Sequence, residues 1–367
     1  MADRILLTIG TKKGLFVAEA STSRKKFLLR GPFGEGVSVY TTLIDRRLKK
    51  PRVFASSCNA FFGMKILLSK DLGHTFKETK SAPAFPQGDG RALQNIWSLE
   101  PGTKKRDLLC GVQPASLFRS EDDGNTWDLV PGISNHEHAE HWHPGAGGLC
   151  MHTIMRTGDR LHLGISTGGH YISDDGGQTF RASNHGVGAG FVPEPYPEFG
   201  QCVHKITFHP DFPQRLFMQN HGGWEDRPGI GVLRSDNGGD SWYSIAEGLP
   251  SDFGFPICVH PDEPETIYVV PLVASTRTCP EAKPAVWRST NGGKKWKKLT
   301  KGLPKKDSYF TVLRDAMDFD DGKKPALYFG TTTGQLWMGT DRGDQWECLF
   351  DSLPPINCVK AAKVTIA

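Results

Sequence analysis

The sequence lacks any long apolar run near its start. The first such run, in MADRILLTIGTKKG, is five residues long and has charges on both sides, too short for a signal peptide or a membrane span. Its eight cysteines lack paired spacing and no secretory signal accompanies them, so we expect reduced thiols and not disulfides. These observations predict a cytoplasmic protein with no membrane partner.

A large charge excess of either sign is also missing. Lys and Arg number 44 against 40 Asp and Glu, a formal net charge of +4, which predicts no nucleic-acid or other polyanionic partner. Turn-forming residues, by contrast, are abundant, with 42 Gly and 25 Pro in 367 residues. This composition favours many tight turns and argues against a helical bundle.

One eight-residue pattern recurs along the chain. Each copy ends in an aromatic residue, and the six copies are Ser69–Phe76, Ser120–Trp127, Ser173–Phe180, Ser235–Trp242, Ser289–Trp296 and Gly339–Trp346. Their aromatic ends are 50 to 62 residues apart, and a period near 50 indicates a repeat architecture. Within a copy, Asp or Asn accepts backbone N–H bonds, Gly adopts positive φ and the aromatic residue packs inward. Apolar alternation before each copy and a short strand after it predict a hairpin.

The consensus S-x-D-x-G-x-T-W resembles the Asp-box (BNR) repeat of sialidase-like and sortilin-like β-propellers. The resemblance extends over nearly the whole chain and implies an all-β fold built from blades of four strands. It does not specify a function, because Asp-box propellers include hydrolases, receptors and assembly factors.

The two ends of the chain complete the predicted ring. Gly14–Leu29 keeps the strand–turn–aromatic pattern with a degraded turn, which makes a seventh copy, but it has no innermost strand before it. The C-terminal segment INCVKAAKVTIA can supply that strand and thereby remove an exposed sheet edge. We therefore predict a single seven-bladed β-propeller domain over residues 1–367, with blade 1 formed by about 3–29 plus 355–365.

Histidines are concentrated where such a ring has its tunnel mouth. The loops that lead from the outer strand of one blade to the inner strand of the next lie on the face opposite the repeated turns, where we expect ligands to bind. The histidines expected at this face are His143, His152, His170, His204 and His221. Converging imidazoles suit Zn²⁺, Fe²⁺ or Cu²⁺, so we predict a divalent transition metal there.

Acid–base or metal-supporting roles would fall to residues of the neighbouring loop and inner strand, namely Glu194, Tyr196, Glu198 and Arg314. We predict a metal-dependent enzyme, of hydrolase, lyase or oxygenase type, that acts on a small polar molecule in the central pocket. The bound metal would activate a water or polarise a carbonyl.

Other interpretations remain open. The histidines could instead order the loops by capping carbonyls and stacking against Trp142 and Trp224. The protein could be a non-enzymatic binding or assembly-factor propeller, or a glycoside hydrolase of sialidase-like type. Sialidase chemistry needs an arginine cluster that usually begins in an Arg-Ile-Pro segment, and this sequence has no such triplet and offers only Arg91 and Arg314.

Overall fold

A computed structural model describes residues 2–366, apart from the side chain of Ile366, and contains seven antiparallel sheets of four strands each. The strands of blade 1 are β28 (Ile356–Ile366), β1 (Ala2–Thr11), β2 (Gly14–Ser21) and β3 (Leu28–Phe33). The strands of blade 2 are β4 (Thr42–Asp45), β5 (Arg52–Asn59), β6 (Gly63–Ser69) and β7 (Lys77–Glu78). Those of blade 3 are β8 (Asn95–Pro101), β9 (Leu108–Gln113), β10 (Ser116–Ser120) and β11 (Asp128–Leu129). The prediction of an all-β, seven-bladed propeller is confirmed.

The remaining four blades repeat this order from the inner to the outer strand. Blade 4 contains β12 (Met151–Thr157), β13 (Arg160–Ile165), β14 (Gly169–Ser173) and β15 (Arg181–Ala182). Blade 5 contains β16 (Val203–Phe208), β17 (Leu216–Asn220), β18 (Val232–Ser235) and β19 (Tyr243–Ser244). Blade 6 contains β20 (Gly254–His260), β21 (Glu263–Pro271), β22 (Val286–Ser289) and β23 (Lys297–Leu299). Blade 7 contains β24 (Met317–Phe319), β25 (Leu327–Gly330), β26 (Leu336–Thr340) and β27 (Gln345–Phe350).

Helical structure is confined to short turns in the connections. These are a four-residue α-helix (Pro131–Ser134) and three 3₁₀ turns, at Ala139–His141, Pro280–Ala282 and Asp341–Gly343. Across residues 2–366, no helix combines the length and the apolar character that crossing a bilayer requires. All eight cysteines lie within the described chain and are free thiols.

The C-terminal strand closes the ring, as the sequence predicts. Strand β28 pairs antiparallel with β1 from Ala2 opposite Ile366 to Thr11 opposite Ile356, with a register shift between Gly10 and Thr11. Gly10 is required there, because a Cβ atom would lie 2.4 Å from the Cys358 Sγ atom. Both faces of the strand pair contact other blades, so β1 is buried continuously from Ile5 to Thr11.

The repeated turns share one hydrogen-bond pattern. In the first copy, the Ser69 hydroxyl accepts a hydrogen bond from the Gly73 amide at 2.8 Å, and the Asp71 carboxylate accepts one from the Thr75 amide at 2.9 Å. Serine accepts from glycine in the same way in the next four copies, which begin at Ser120, Ser173, Ser235 and Ser289.

The last copy is built differently. Gly339 stands where the other copies have serine, and a Cβ atom there would lie 2.7 Å from the Trp346 ring. Without the serine hydroxyl the turn becomes a 3₁₀ turn, in which Asp341 and Arg342 have positive φ angles. The ring of Trp346 occupies the space that a side chain at position 339 would fill.

Candidate functional site

A cavity of about 390 Å³ opens at the face opposite the repeated turns. Its wall is formed by connections of blades 4 to 7 and by the beginnings of the inner strands β16 and β20, and none of the six repeated turns contributes a lining residue. The larger part of the wall is apolar and consists of Phe191, Trp224, Phe253, Phe255 and Leu313. A volume of this size suits a small molecule.

Three potential metal ligands meet in this cavity. The Sγ atom of Cys202 and one ring nitrogen each of His204 and His221 all lie within 4.8 Å of one another. Cys202 immediately precedes the inner strand β16 and His204 is its second residue, so the two side chains point to the same side of the extended chain. His221 follows β17 directly, and its amide donates a hydrogen bond to the Cys202 carbonyl at 3.0 Å.

Hydrogen bonding fixes the state of these histidines. The Nδ1 atom of His204 lies 2.6 Å from the Gly254 carbonyl, so it carries the proton and leaves the Nε2 lone pair free. Within residues 2–366, neither ring nitrogen of His221 has a hydrogen-bond partner. Burial, followed by the charges of Arg277 and Arg314, lowers the pKa of His221 to about 4. Burial also places the pKa of His204 well below its ordinary value, so both rings are neutral near pH 7.

Arg314 crosses the floor of the cavity between two aromatic rings. Its guanidinium carbon lies 5.7 Å from the centre of the Trp97 ring and 5.5 Å from that of Phe255, as in cation–π contacts. The carboxylate beside it in sequence, Asp315, is paired with Lys205 at 2.5 Å. Among the residues that the structure describes, Arg314 has no carboxylate partner, and its buried Nε atom donates no hydrogen bond.

Comparisons with known proteins show the fold alone. No protein family matches the sequence, and no curated protein matches it either. A GH74 xyloglucanase from Xanthomonas campestris superposes with a TM-score of 0.57 at 17% identity, over 97% of this chain and 52% of that one. The GH74 enzyme of Niastella koreensis superposes with a TM-score of 0.54 at 16% identity, over 97% of this chain and 68% of that one. An ancestral GH74 enzyme superposes with a TM-score of 0.56 at 16% identity, over 85% of this chain and 38% of that one. The chain thus spans about half the length of the first of these structures.

Of the five histidines expected at the mouth, only His204 and His221 line the cavity. His152 is buried beside it, with Nε2 at 2.8 Å from the Val203 carbonyl and Nδ1 at 3.1 Å from the Thr153 hydroxyl, so both ring nitrogens are occupied. The expectation that His152 presents a free nitrogen at the mouth is therefore wrong.

His170 lies away from the mouth, between blades 4 and 5. Its ring stacks on His162, with its Nε2 atom 3.1 Å from His162 Nδ1, and its Nδ1 atom lies 3.1 Å from the Ser183 carbonyl. It is fully buried beneath the turn at Gly239. The expected position in the pocket is corrected, because the side chain of His170 points from β14 into the space between two blades.

The histidine-rich loop contributes backbone to the cavity and no imidazole. His143 is exposed, and its carbonyl accepts a hydrogen bond from the Thr167 hydroxyl, whereas Gly145–Gly147 line the cavity. His138 stacks on Phe199 and lies 3.0 Å from the Tyr171 hydroxyl. This part of the loop agrees with the structural interpretation, in which histidines order the loop.

Glu194, Tyr196 and Glu198 lie outside the cavity. Tyr196 is 57% exposed as a residue, and the side chain of Glu198 is 75% exposed. Asn184 and Gln201 bind carbonyl groups of this loop from its inner side, which turns the side chains outward. The acid–base positions expected for these three residues are therefore corrected, and Arg314 alone of the four predicted catalytic residues faces the cavity.

Four polar residues that line the cavity were not predicted from the sequence, namely Ser166, Thr167, Cys202 and Arg277. Cys202 precedes His204 by two residues at the start of a predicted strand, and this spacing places both on one side of it. That signal could have identified Cys202. Arg277 comes from the long connection between β21 and β22, whose course the repeat pattern does not determine.

Proposed function

We propose that the protein is a metal-dependent enzyme that acts on a small molecule in the cavity at the tunnel mouth. Cys202, His204 and His221 would hold a divalent transition metal, Zn²⁺, Fe²⁺ or Cu²⁺. The observation that carries the proposal is the convergence of their three ligand atoms within 4.8 Å of one another. Three protein ligands leave a fourth position for water or substrate, the arrangement used by catalytic metal sites.

The donor atoms fit a transition metal in chemistry and nearly in distance. Ligand bonds of 2.0 to 2.3 Å in a tetrahedral site put donor atoms about 3.3 to 3.8 Å apart. Side-chain rotations that move the donor atoms by about 1 Å would therefore complete the site. Both imidazoles are neutral near pH 7 because burial lowers their pKa values. A thiolate would offset part of the metal's charge beside two arginines, and a cytoplasmic location, which we also propose, would keep Cys202 reduced.

The alternative of glycoside hydrolysis has less support. That reaction commonly uses two carboxyl groups on either side of the scissile bond, and no Asp or Glu is among the described residues that line the cavity. Arg91, which the sequence offered for a substrate carboxylate, is paired with Asp89 at 2.6 Å. A purely non-enzymatic binding propeller would not need three metal-ligating atoms in one pocket.

Metal analysis of protein purified without a His-tag tests the proposal. We expect about one transition-metal ion per chain in the wild type and loss of that ion in Cys202→Ser and His204→Gln, because each removes a ligand. His141→Gln is the matched control, since that histidine side chain is 61% exposed in the loop and outside the cavity. It should keep its metal.

Added metal should also stabilise the protein. Binding to the folded state alone stabilises it by about 2.7 kcal/mol at a hundredfold excess over Kd, which a melting experiment detects readily. If the wild type and all three variants contain equally little metal, and Zn²⁺, Fe²⁺ and Cu²⁺ leave the melting temperature unchanged, the metal site does not exist. Any activity discovered later should decrease in proportion to the metal content of the variants.

A further inference from the structure

Arg314 is a half-buried cation without a carboxylate partner among the described residues. The three arginines that are buried elsewhere are each paired with a carboxylate: Arg52 with Asp45, Arg234 with Asp236 and Arg288 with Asp344. Arg314 has no such partner among residues 2–366, although its Nε atom is shielded from solvent. A guanidinium that is partly shielded from water and lies unpaired beside a mostly apolar wall is well placed to take its counter-ion from a ligand.

We propose that Arg314 binds the carboxylate of a small organic acid whose apolar body packs against Phe191, Trp224 and Phe253. This inference names the substrate class of the proposed enzyme and in that respect rests on the proposed function, although the anion site itself requires no metal. The guanidinium lies over the Trp97 and Phe255 rings, and its N–H donors have no acceptor among the described residues, so they remain for a ligand. That edge matches the two oxygens of a carboxylate.

The positive charge of Arg314 is not offset by the carboxylate next to it in sequence. Asp315 is paired with Lys205, so Arg314 presents its charge to the cavity. Arg277, which also lines the cavity, is exposed and would attract an anion during its approach.

Calorimetric titration with benzoate and with benzamide, its uncharged analogue, tests the proposal. We expect benzoate to bind to the wild type and benzamide to bind at least about tenfold more weakly, because only benzoate forms the charge-assisted pair. Arg314→Met should weaken benzoate binding by about tenfold or more, and Arg314→Lys should give an intermediate loss. Arg106→Met is the control, since the Arg106 side chain is 59% exposed and outside the cavity, and it should bind benzoate like the wild type.

Melting without ligand separates anion binding from a purely structural role. If Arg314 serves a ligand, Arg314→Met removes a half-buried charge that has no carboxylate partner in the described chain, and its melting temperature should equal or exceed that of the wild type. A structural cation–π contact would give a lower value. Equal binding of benzoate and benzamide, unchanged binding by Arg314→Met, or tighter binding of inorganic phosphate than of benzoate would each overturn the proposal.

A metal-free variant keeps the two proposals independent. The double variant Cys202→Ser/His204→Gln should still bind benzoate, with the loss on Arg314→Met preserved in that background. Loss of metal with retained benzoate binding supports the anion site by itself. Metal binding without any benzoate binding by the wild type would refute the anion site and leave the proposed metal site standing.

Discussion

The stacked pair His162 and His170 should make the propeller sensitive to mild acid. His170 Nδ1 donates to the Ser183 carbonyl, so its Nε2 atom must accept the proton of His162 Nδ1 at 3.1 Å. Protonation of His170 at Nε2 would place two N–H groups against each other, and protonation of His162 at Nε2 would place a charge in a site that water does not reach. Both changes are unfavourable, so the pair is most stable while both rings are neutral.

The size of the effect follows from the pKa of His162, which burial and then the charge of Arg160 lower to about 4 from an ordinary value near 6.5. Because the folded-state pKa is depressed, the stabilisation is fully present above the unfolded-state pKa and is lost as pH falls through the folded-state value. A difference of about 2.5 units corresponds to about 3 kcal/mol, lost between about pH 6.5 and pH 4.

Denaturant unfolding between about pH 7 and pH 4 measures this loss. His162→Gln removes the titrating ring, while its amide can still donate to His170. Over this pH range the free energy of unfolding of the wild type should therefore decrease by about 3 kcal/mol more than that of His162→Gln. His141→Gln, at an exposed position, should follow the wild-type profile. If His162→Gln and the wild type lose equal stability, the buried pair does not titrate as its geometry implies.

Two further predictions concern the site loop and the closure of the ring. Asp252 accepts hydrogen bonds from the amides of Gly223, Gly229 and Gly231, and these bonds hold the loop that carries His221. Asp252→Ala should therefore lower the free energy of unfolding by about 1–3 kcal/mol and reduce the metal content. An unchanged metal content would show that the loop needs no such support. Deletion of the residues after Pro354 removes β28 and exposes the edge of β1, so light scattering should detect aggregation of the truncated protein. A truncated protein that stays monomeric and melts like the full-length protein would contradict the closure of the ring by β28.

Much of the architecture could be predicted from local patterns. The turn residues Ser69, Asp71 and Gly73 act within a few positions of one another, so their hydrogen bonds follow from the sequence. Their recurrence then sets the number of blades, and the apolar alternation of the last segment indicates the strand that completes the first one. The last repeat differs because Gly339 replaces the serine, and this change is visible in the sequence. The 3₁₀ geometry of its turn also depends on the packing of Trp346.

The candidate site could be predicted only in part. The face of the ring and the positions of His204, His221 and Arg314 agree with the expectation from the topology. The histidine-rich loop was misleading, since its imidazoles pack against Phe199 and Tyr171 or face solvent. The direction of a side chain in a long connection depends on packing partners that are distant in sequence. The composition of the loop therefore does not predict which side chains face the cavity.

The sequence by itself determined a closed ring of seven sheets, because turn chemistry and strand alternation act over a few residues and repeat. Only the tertiary structure decided which histidine can bind a ligand. His152 and His204 occupy equivalent inner strands, and each bonds to a backbone carbonyl of the following blade. His152 uses Nε2 for this bond and has its other nitrogen beside Thr153, whereas His204 uses Nδ1 and leaves Nε2 without a hydrogen bond among the described residues. Which ring nitrogen makes the inter-blade bond depends on contacts with the following blade, which no pattern within one strand encodes.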